Sequence, residues 1–204
     1  MLSMEKVDEK LVEEYLEGDG KALDFLVEKY LKPLYNFIFQ LTQDSAASED
    51  IVQETFLKMW KNLDKFDGEK KFSTWIFAIA KNTAFDWLKK KRAIAFSSIE
   101  GDEGENYFDT IEDESMLHSE NLLAKIDSVE NAKLLLSQLS PQMQAVLLLY
   151  HKYGFSLVEI AQIMGRPSNT VKSGYRRAIA GLRKNFSDKM PYLKPETVPA
   201  IDKK

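Results

Sequence analysis

Positive charge gathers at two places in this chain, although the chain as a whole carries a formal charge of −4. Residues 160–184 hold six basic side chains and no acid, among them Lys172, Arg176 and Arg177. Residues 81–92, KNTAFDWLKKKR, hold five basic side chains against Asp86 alone. Ammonium and guanidinium groups clustered in this way bind polyanions, phosphate backbones above all. The pI of about 5.4 does not argue against that, because the charge is segregated along the chain. Other chemistries lack their residues. No cysteine is present, which removes disulfides, thiolate metal sites and cysteine nucleophiles and fits a reducing cytoplasm. The two histidines, His118 and His151, have no metal-ligand spacing, and neither a phosphate-binding glycine loop nor a nucleophile elbow occurs. The expectation is a protein that is no enzyme and needs no cofactor or metal. An acidic start without an apolar segment argues against a signal peptide, and no apolar run is long enough to span a bilayer.

The elements that must carry these charges are helical. Leu11, Val12, Tyr15 and Leu16 give one apolar face before Gly18 and Gly20 end it. A run from Ala22 to Phe39 continues at helical spacing, with Pro33 inside it predicting a kink. Ser45 or Ser48 can cap the next helix, whose buried face reads Ile51, Val52, Thr55, Phe56, Met59 and Trp60. Asp50, Gln53, Glu54 and Leu57 lie on its opposite face. Lys65 to Ser73 reads as a loop, and Trp75, Ile76, Ile79, Ala80, Ala84 and Leu88 pattern a helix running to Arg92. Further on, Ser140-Pro141 starts a helix with Met143, Val146, Leu147 and Tyr150 as its core face. Ser156 and Glu159 form a capping box, Gly165 turns the chain, and a basic amphipathic helix begins near Ser168. That succession is a helix-turn-helix, whose second helix enters the major groove of DNA. Between the two basic regions, Ser97 to Glu130 holds eleven acids and one base. The fold expected is therefore all-α: two small helical domains, at 1–95 and 129–187, joined by a flexible acidic linker at 96–128 and followed by a loose tail at 188–204.

Three stretches in this order resemble the small extracytoplasmic-function group of bacterial RNA polymerase sigma factors. They are SEDIVQETFLKMW (48–60), FSTWIFAIAKNTAFDWLK (72–89), and SLVEIA (156–161) through TVKS (170–173). The resemblance covers roughly residues 8–185, nearly the whole chain, and implies sigma domains 2 and 4. It implies that Asp50, Gln53, Glu54 and Leu57 dock on the clamp of the polymerase's largest subunit, and that the polymerase flap is a further partner of the chain. Acceptors of this type take charge-assisted bonds from partner arginines, and Leu57 or Phe56 supplies an apolar anchor. It implies that Lys81, Asn82, Asp86, Lys89, Lys90, Lys91 and Arg92 serve the −10 element. There the lysines and Arg92 meet phosphates, Asn82 pairs with a base edge, and Asp86 accepts from a cytosine amino group or orients a neighbouring base. Trp75, on the apolar stripe, reads as core rather than as a stacking platform; Trp87 is open between the two.

The resemblance further implies that Ser168, Asn169, Thr170, Lys172, Ser173, Arg176 and Arg177 serve the −35 element, the first three through amides at a helix N-terminus. Tyr175 is either core or a sugar contact. Gly174 departs from the family, many of whose members carry a basic residue there, and is expected either to leave one groove or phosphate contact fewer or to let the helix backbone sit closer to the groove. The partners implied are core RNA polymerase, promoter DNA and an anti-sigma factor, with no membrane insertion. The acidic segment Glu100 to Glu114 is expected to thread toward the polymerase active site. A stand-alone helix-turn-helix regulator is the alternative, and gel shifts separate the two: a sigma factor binds promoter DNA weakly alone and tightly with polymerase.

Overall fold

Helix boundaries fall where local chemistry ends them. The computed structural model of the chain describes residues 7–96 and 139–189. Among the described residues the elements are α1 (Val7–Leu16), α2 (Gly20–Thr42), α3 (Ser45–Lys61), a 3₁₀ turn (Leu63–Lys65), α4 (Phe72–Phe96), α5 (Pro141–His151), α6 (Leu157–Met164) and α7 (Ser168–Lys189), with no strand. Gly18, at a φ of 111°, turns the chain out of α1, and the Asp19 side chain caps α2 by accepting from the amide of Lys21. The acidic stretch Glu100 to Glu114 and the tail from residue 190 lie outside the described residues.

Two local expectations are corrected. The cap of α3 is neither Ser45 nor Ser48 but Asp44, whose carboxylate accepts from the amide of Ala47 at 3.1 Å. Ser48 is buried instead, sharing a 2.9 Å bond with the Thr42 hydroxyl and donating to the Asp44 carbonyl. Trp60 is not on the buried face of α3 but 51% exposed. Its indole donates to the Tyr15 hydroxyl at 2.8 Å. The helical phase accounts for this: Trp60 stands three residues after Leu57 and seven after Gln53, on the exposed stripe. α2 passes through Pro33 as one continuous helix.

The first module is built around α2. Leu26, Leu34, Phe37 and Ile38 are fully buried between Ile51, Val52 and Met59 of α3 and Phe72, Ile76, Phe77, Ala80 and Ala84 of α4. α1 is tied across this body by its acids. Asp8 takes the Tyr30 hydroxyl and the Lys29 ammonium, and the Glu9 carboxylate caps α4 by accepting from the Phe72 amide at 2.6 Å. In the second module, Ser140 caps α5 with Pro141 at its first turn. Ser156 and Glu159 close the capping box on α6, and Gly165 takes a φ of 64° in the turn to α7.

The two modules share packing. α4 lies against α6, and α2 against α5. α5 is consequently buried nearly all round: Ala145, Leu148 and Leu149 join Met143, Val146 and Leu147 in the interior. The sequence assigns it one apolar face only, because helical phase cannot say that a second body covers the other.

Candidate nucleic-acid interface

α7 projects its sequence-predicted readers unevenly. Asn169, Lys172 and Arg176 are exposed at spacings of three and four, which places them on one face of the helix. Ser168, Thr170 and Ser173 are half-buried, and the Ser173 hydroxyl donates to the Thr170 carbonyl at 2.9 Å. Arg177 turns back on its own helix, with Nε 3.4 Å from the Ser173 carbonyl. Tyr175 is structural: its ring lies 4.9 Å from that of Tyr150, and its hydroxyl shares a 3.2 Å bond with His151 Nε2. Burial of that imidazole pushes its pKa below the ordinary value. Gly174 is buried on the stripe of Val171 and Ala178, three and four residues away. That corrects the expectation of a missing groove contact, since a side chain there would point into the module rather than at DNA.

On α4, Asn82, Asp86, Lys89 and Lys90 form one exposed stripe. Lys91 falls on the opposite side of the helix, its Nζ 4.5 Å from the Trp87 ring centre and 3.5 Å from the Asp44 carboxylate. Trp87 is half-buried beneath that cation. Arg92 is exposed. Lys81 differs from the rest: it is only 6% exposed and its ammonium bonds to Asn82 Oδ1. Burial, and secondarily the charge of Arg166, hold its pKa below the usual lysine range against the pull of Asp86.

Beside this stripe opens a cavity of about 550 Å³, lined by Lys58, Asn62, Lys65, Trp75, Ile79, Asn82 and Thr83. Lys58 is fixed between the Thr83 hydroxyl, 3.1 Å away, and the Glu54 carboxylate, 2.8 Å away. The Trp75 ring packs on Phe66 and Phe72, with centroids 5.1 and 5.7 Å off, yet still forms part of the cavity wall. Lys58 and Asn62 were not singled out from the sequence. Both belong to the end of α3, and only the tertiary approach of α3 to α4 brings them beside Asn82. On α3 itself, Asp50, Gln53, Glu54 and Leu57 are all exposed, Leu57 at 53%, and Trp60 extends their stripe.

The chain is similar to known proteins along both modules. Residues 26–94 match the family model of sigma-70 region 2 and residues 130–182 that of sigma-70 region 4. The chain is 28% identical to the extracytoplasmic-function sigma factor SigW of Bacillus subtilis, over 91% of this chain and 100% of that protein. It is 32% identical to the RNA polymerase sigma-H factor of Pseudomonas aeruginosa, over 87% of this chain and 92% of that protein. It is also 32% identical to the sigma-E factor of Haemophilus influenzae, over 84% and 90%. Among solved structures, CnrH in complex with the cytosolic domain of CnrY has the same fold, with a TM-score of 0.64 at 21% identity over 89% of this chain and 98% of that one. RpoE in complex with the anti-sigma factor NepR, from Bartonella quintana, gives 0.60 at 24% over 80% and 96%. With both regions matched in order and relatives aligned over nearly their full length, the chain belongs to the sigma-70 family, as a promoter-specific RNA polymerase sigma factor of the extracytoplasmic-function group.

Proposed function

We propose that the cavity between α3 and α4 receives an unstacked base of the −10 element while the helix-turn-helix reads the −35 duplex. The observation that carries this reading is the juxtaposition of a flat aromatic wall, Trp75, an amide, Asn82, and cations, Lys58 and Lys65, around one opening. A flipped base needs a stacking surface, a partner for its edge and neutralisation of its flanking phosphates. Lys89, Lys90 and Arg92 continue the phosphate track along α4. Asn169, Lys172 and Arg176 face the −35 groove, with the first-turn amides of α7 on a phosphate. Asp50, Gln53, Glu54 and Leu57, with Trp60, present the core polymerase with acceptors around an apolar anchor.

The chain itself catalyses nothing in this reading, because the polymerase performs the phosphoryl transfer, and it acts in the cytoplasm beside that enzyme. Among the described residues no helix is long and apolar enough to cross a membrane. RpoE, a neighbour in fold, was solved with an anti-sigma factor; an anti-sigma partner is proposed for this chain too. Run-off transcription with core polymerase on a promoter library tests the whole. Selective initiation is expected only when the protein is present. Asn82→Ala should relax choice at the −10 element and Arg176→Ala at the −35 element. Absence of selective initiation overturns the reading.

A further inference from the structure

We propose that Lys81 fixes the Asn82 amide so that it offers only N–H donors to the −10 strand, and that the cavity between α3 and α4 selects against adenine for this reason. This rests on the functional reading above, in which Asn82 meets the edge of a base held in that cavity.

Lys81 is a cation of α4 set apart from the phosphate track. It is 6% exposed, its ammonium bonds to Asn82 Oδ1, and its Nζ lies 5.7 Å from the centre of the Phe85 ring, one turn further on. Asn82 itself is exposed and lines the cavity. One amide is therefore shared between the interior and the opening. An ammonium carries three donors and no acceptor, so the end of the amide turned toward it is the oxygen. The reverse orientation would set amide N–H groups against the ammonium and leave a buried charge without its acceptor, which is costly. Nδ2, with its two N–H donors, is then the end that remains for a base.

The rest of the wall is donor-rich as well. Lys58 and Lys65 bring ammonium groups to it. Among the described residues, the acceptors of the other polar side chains of the wall are engaged. Asn62 Oδ1 accepts from Lys65 Nζ at 3.4 Å, and the Thr83 hydroxyl accepts from Lys58 at 3.1 Å while donating to the Ile79 carbonyl at 3.0 Å. An unrestrained asparagine amide pairs with adenine through two bonds, accepting from its exocyclic amine and donating to the ring nitrogen beside it. With Oδ1 held inside by Lys81 that pairing is closed, because the amine of adenine meets further donors. Thymine, cytosine and guanine each carry a carbonyl oxygen that can accept from Nδ2, and adenine carries none. Polar groups left without partners are what lets a site reject a close analogue.

The test uses holoenzyme formed with core polymerase, on promoters carrying each of the four bases at each −10 position in turn. At the position where Asn82→Ala alters choice, adenine should support initiation about tenfold less than the best of the other bases. Lys81→Met keeps a buried unbranched stem and removes the donor, so the amide is free to turn and the adenine deficit should shrink to about twofold. Lys81→Arg keeps a donor and should keep the deficit. Helical circular dichroism checks that these variants fold. Asn82→Asp provides a second route that leaves Lys81 intact: one carboxylate oxygen stays on the ammonium, the other faces the base, and adenine should gain on thymine, which has no amine. Adenine accepted by the wild type as well as the other bases overturns the proposal, as does a deficit that persists in folded Lys81→Met or in Asn82→Asp. Base choice indifferent to Asn82→Ala at every −10 position overturns the reading of the cavity instead.

Discussion

At the scale of single residues, Gly174 shows how a position changes meaning once its surroundings are known. In the sequence it stands between Lys172 and Arg176 and looks like a missing cation. In the folded chain it is buried with Val171 and Ala178. A Gly174→Arg substitution must then place a guanidinium among apolar side chains and should destabilise the protein by about 3 kcal/mol. Arg176→Ala, at an exposed position, should stay within about 0.5 kcal/mol of wild type while weakening −35 choice. Thermal unfolding of the two variants decides the matter. If Gly174→Arg leaves the midpoint unchanged and alters promoter choice, the position faces DNA after all. The phase was legible beforehand, since 171, 174 and 178 are three and four apart. Tyr175 was open between core and sugar contact from sequence alone, because no spacing rule reports the neighbour it meets, here Tyr150 and His151.

At the scale of elements, caps and turns were the most legible features because they depend on residues within a few positions of one another. The Ser140-Pro141 start, the Ser156–Glu159 box and the Gly165 turn all stand as the sequence implies. The start of α3 was misread because Asp44, Ser45 and Ser48 are all capable caps, and burial of Ser48 decided among them. The box on α6 carries a pH signature. Burial pushes the Glu159 carboxyl up, but bonds from the Ser156 hydroxyl and amide and from Lys71 outweigh it and hold the pKa below the usual 4.5. A carboxyl depressed in this way stabilises the fold fully above its ordinary value, and the contribution is lost as pH falls through the lower folded value. Glu159→Gln should therefore melt below wild type at about pH 7, and the gap should close toward about pH 3. A gap that stays constant with pH would show that the carboxylate charge contributes nothing.

At the scale of the whole molecule, the division into two basic-edged bodies was legible from charge, while their packing together was not. An apolar face on α5 or α4 announces that something covers it, but not whether the cover is another module of the same chain. The nearly continuous apolar run from Met143 to Leu149, interrupted only by Gln144, was the available signal. Charge placement yields a sharper consequence. Consecutive lysines on a helix point about 100° apart, so the run Lys89 to Arg92 cannot act as one patch. Lys89 and Lys90, seven and eight residues after Asn82, flank the exposed face that Asn82 and Asp86 define, whereas Lys91 is turned to Trp87 and Asp44. Each phosphate contact made by a lysine to a single strand contributes roughly 0.7 to the slope of log affinity against log salt. With core polymerase present, the Lys89→Ala, Lys90→Ala double variant should lower that slope by roughly 1.4, twice the single-contact value. Lys91→Ala, of equal formal charge change per residue, should leave it nearly unchanged. Titration of a −10 strand over a series of salt concentrations measures both. Equal losses from Lys90 and Lys91 would mean that net charge alone, rather than the stripe on α4, guides the strand.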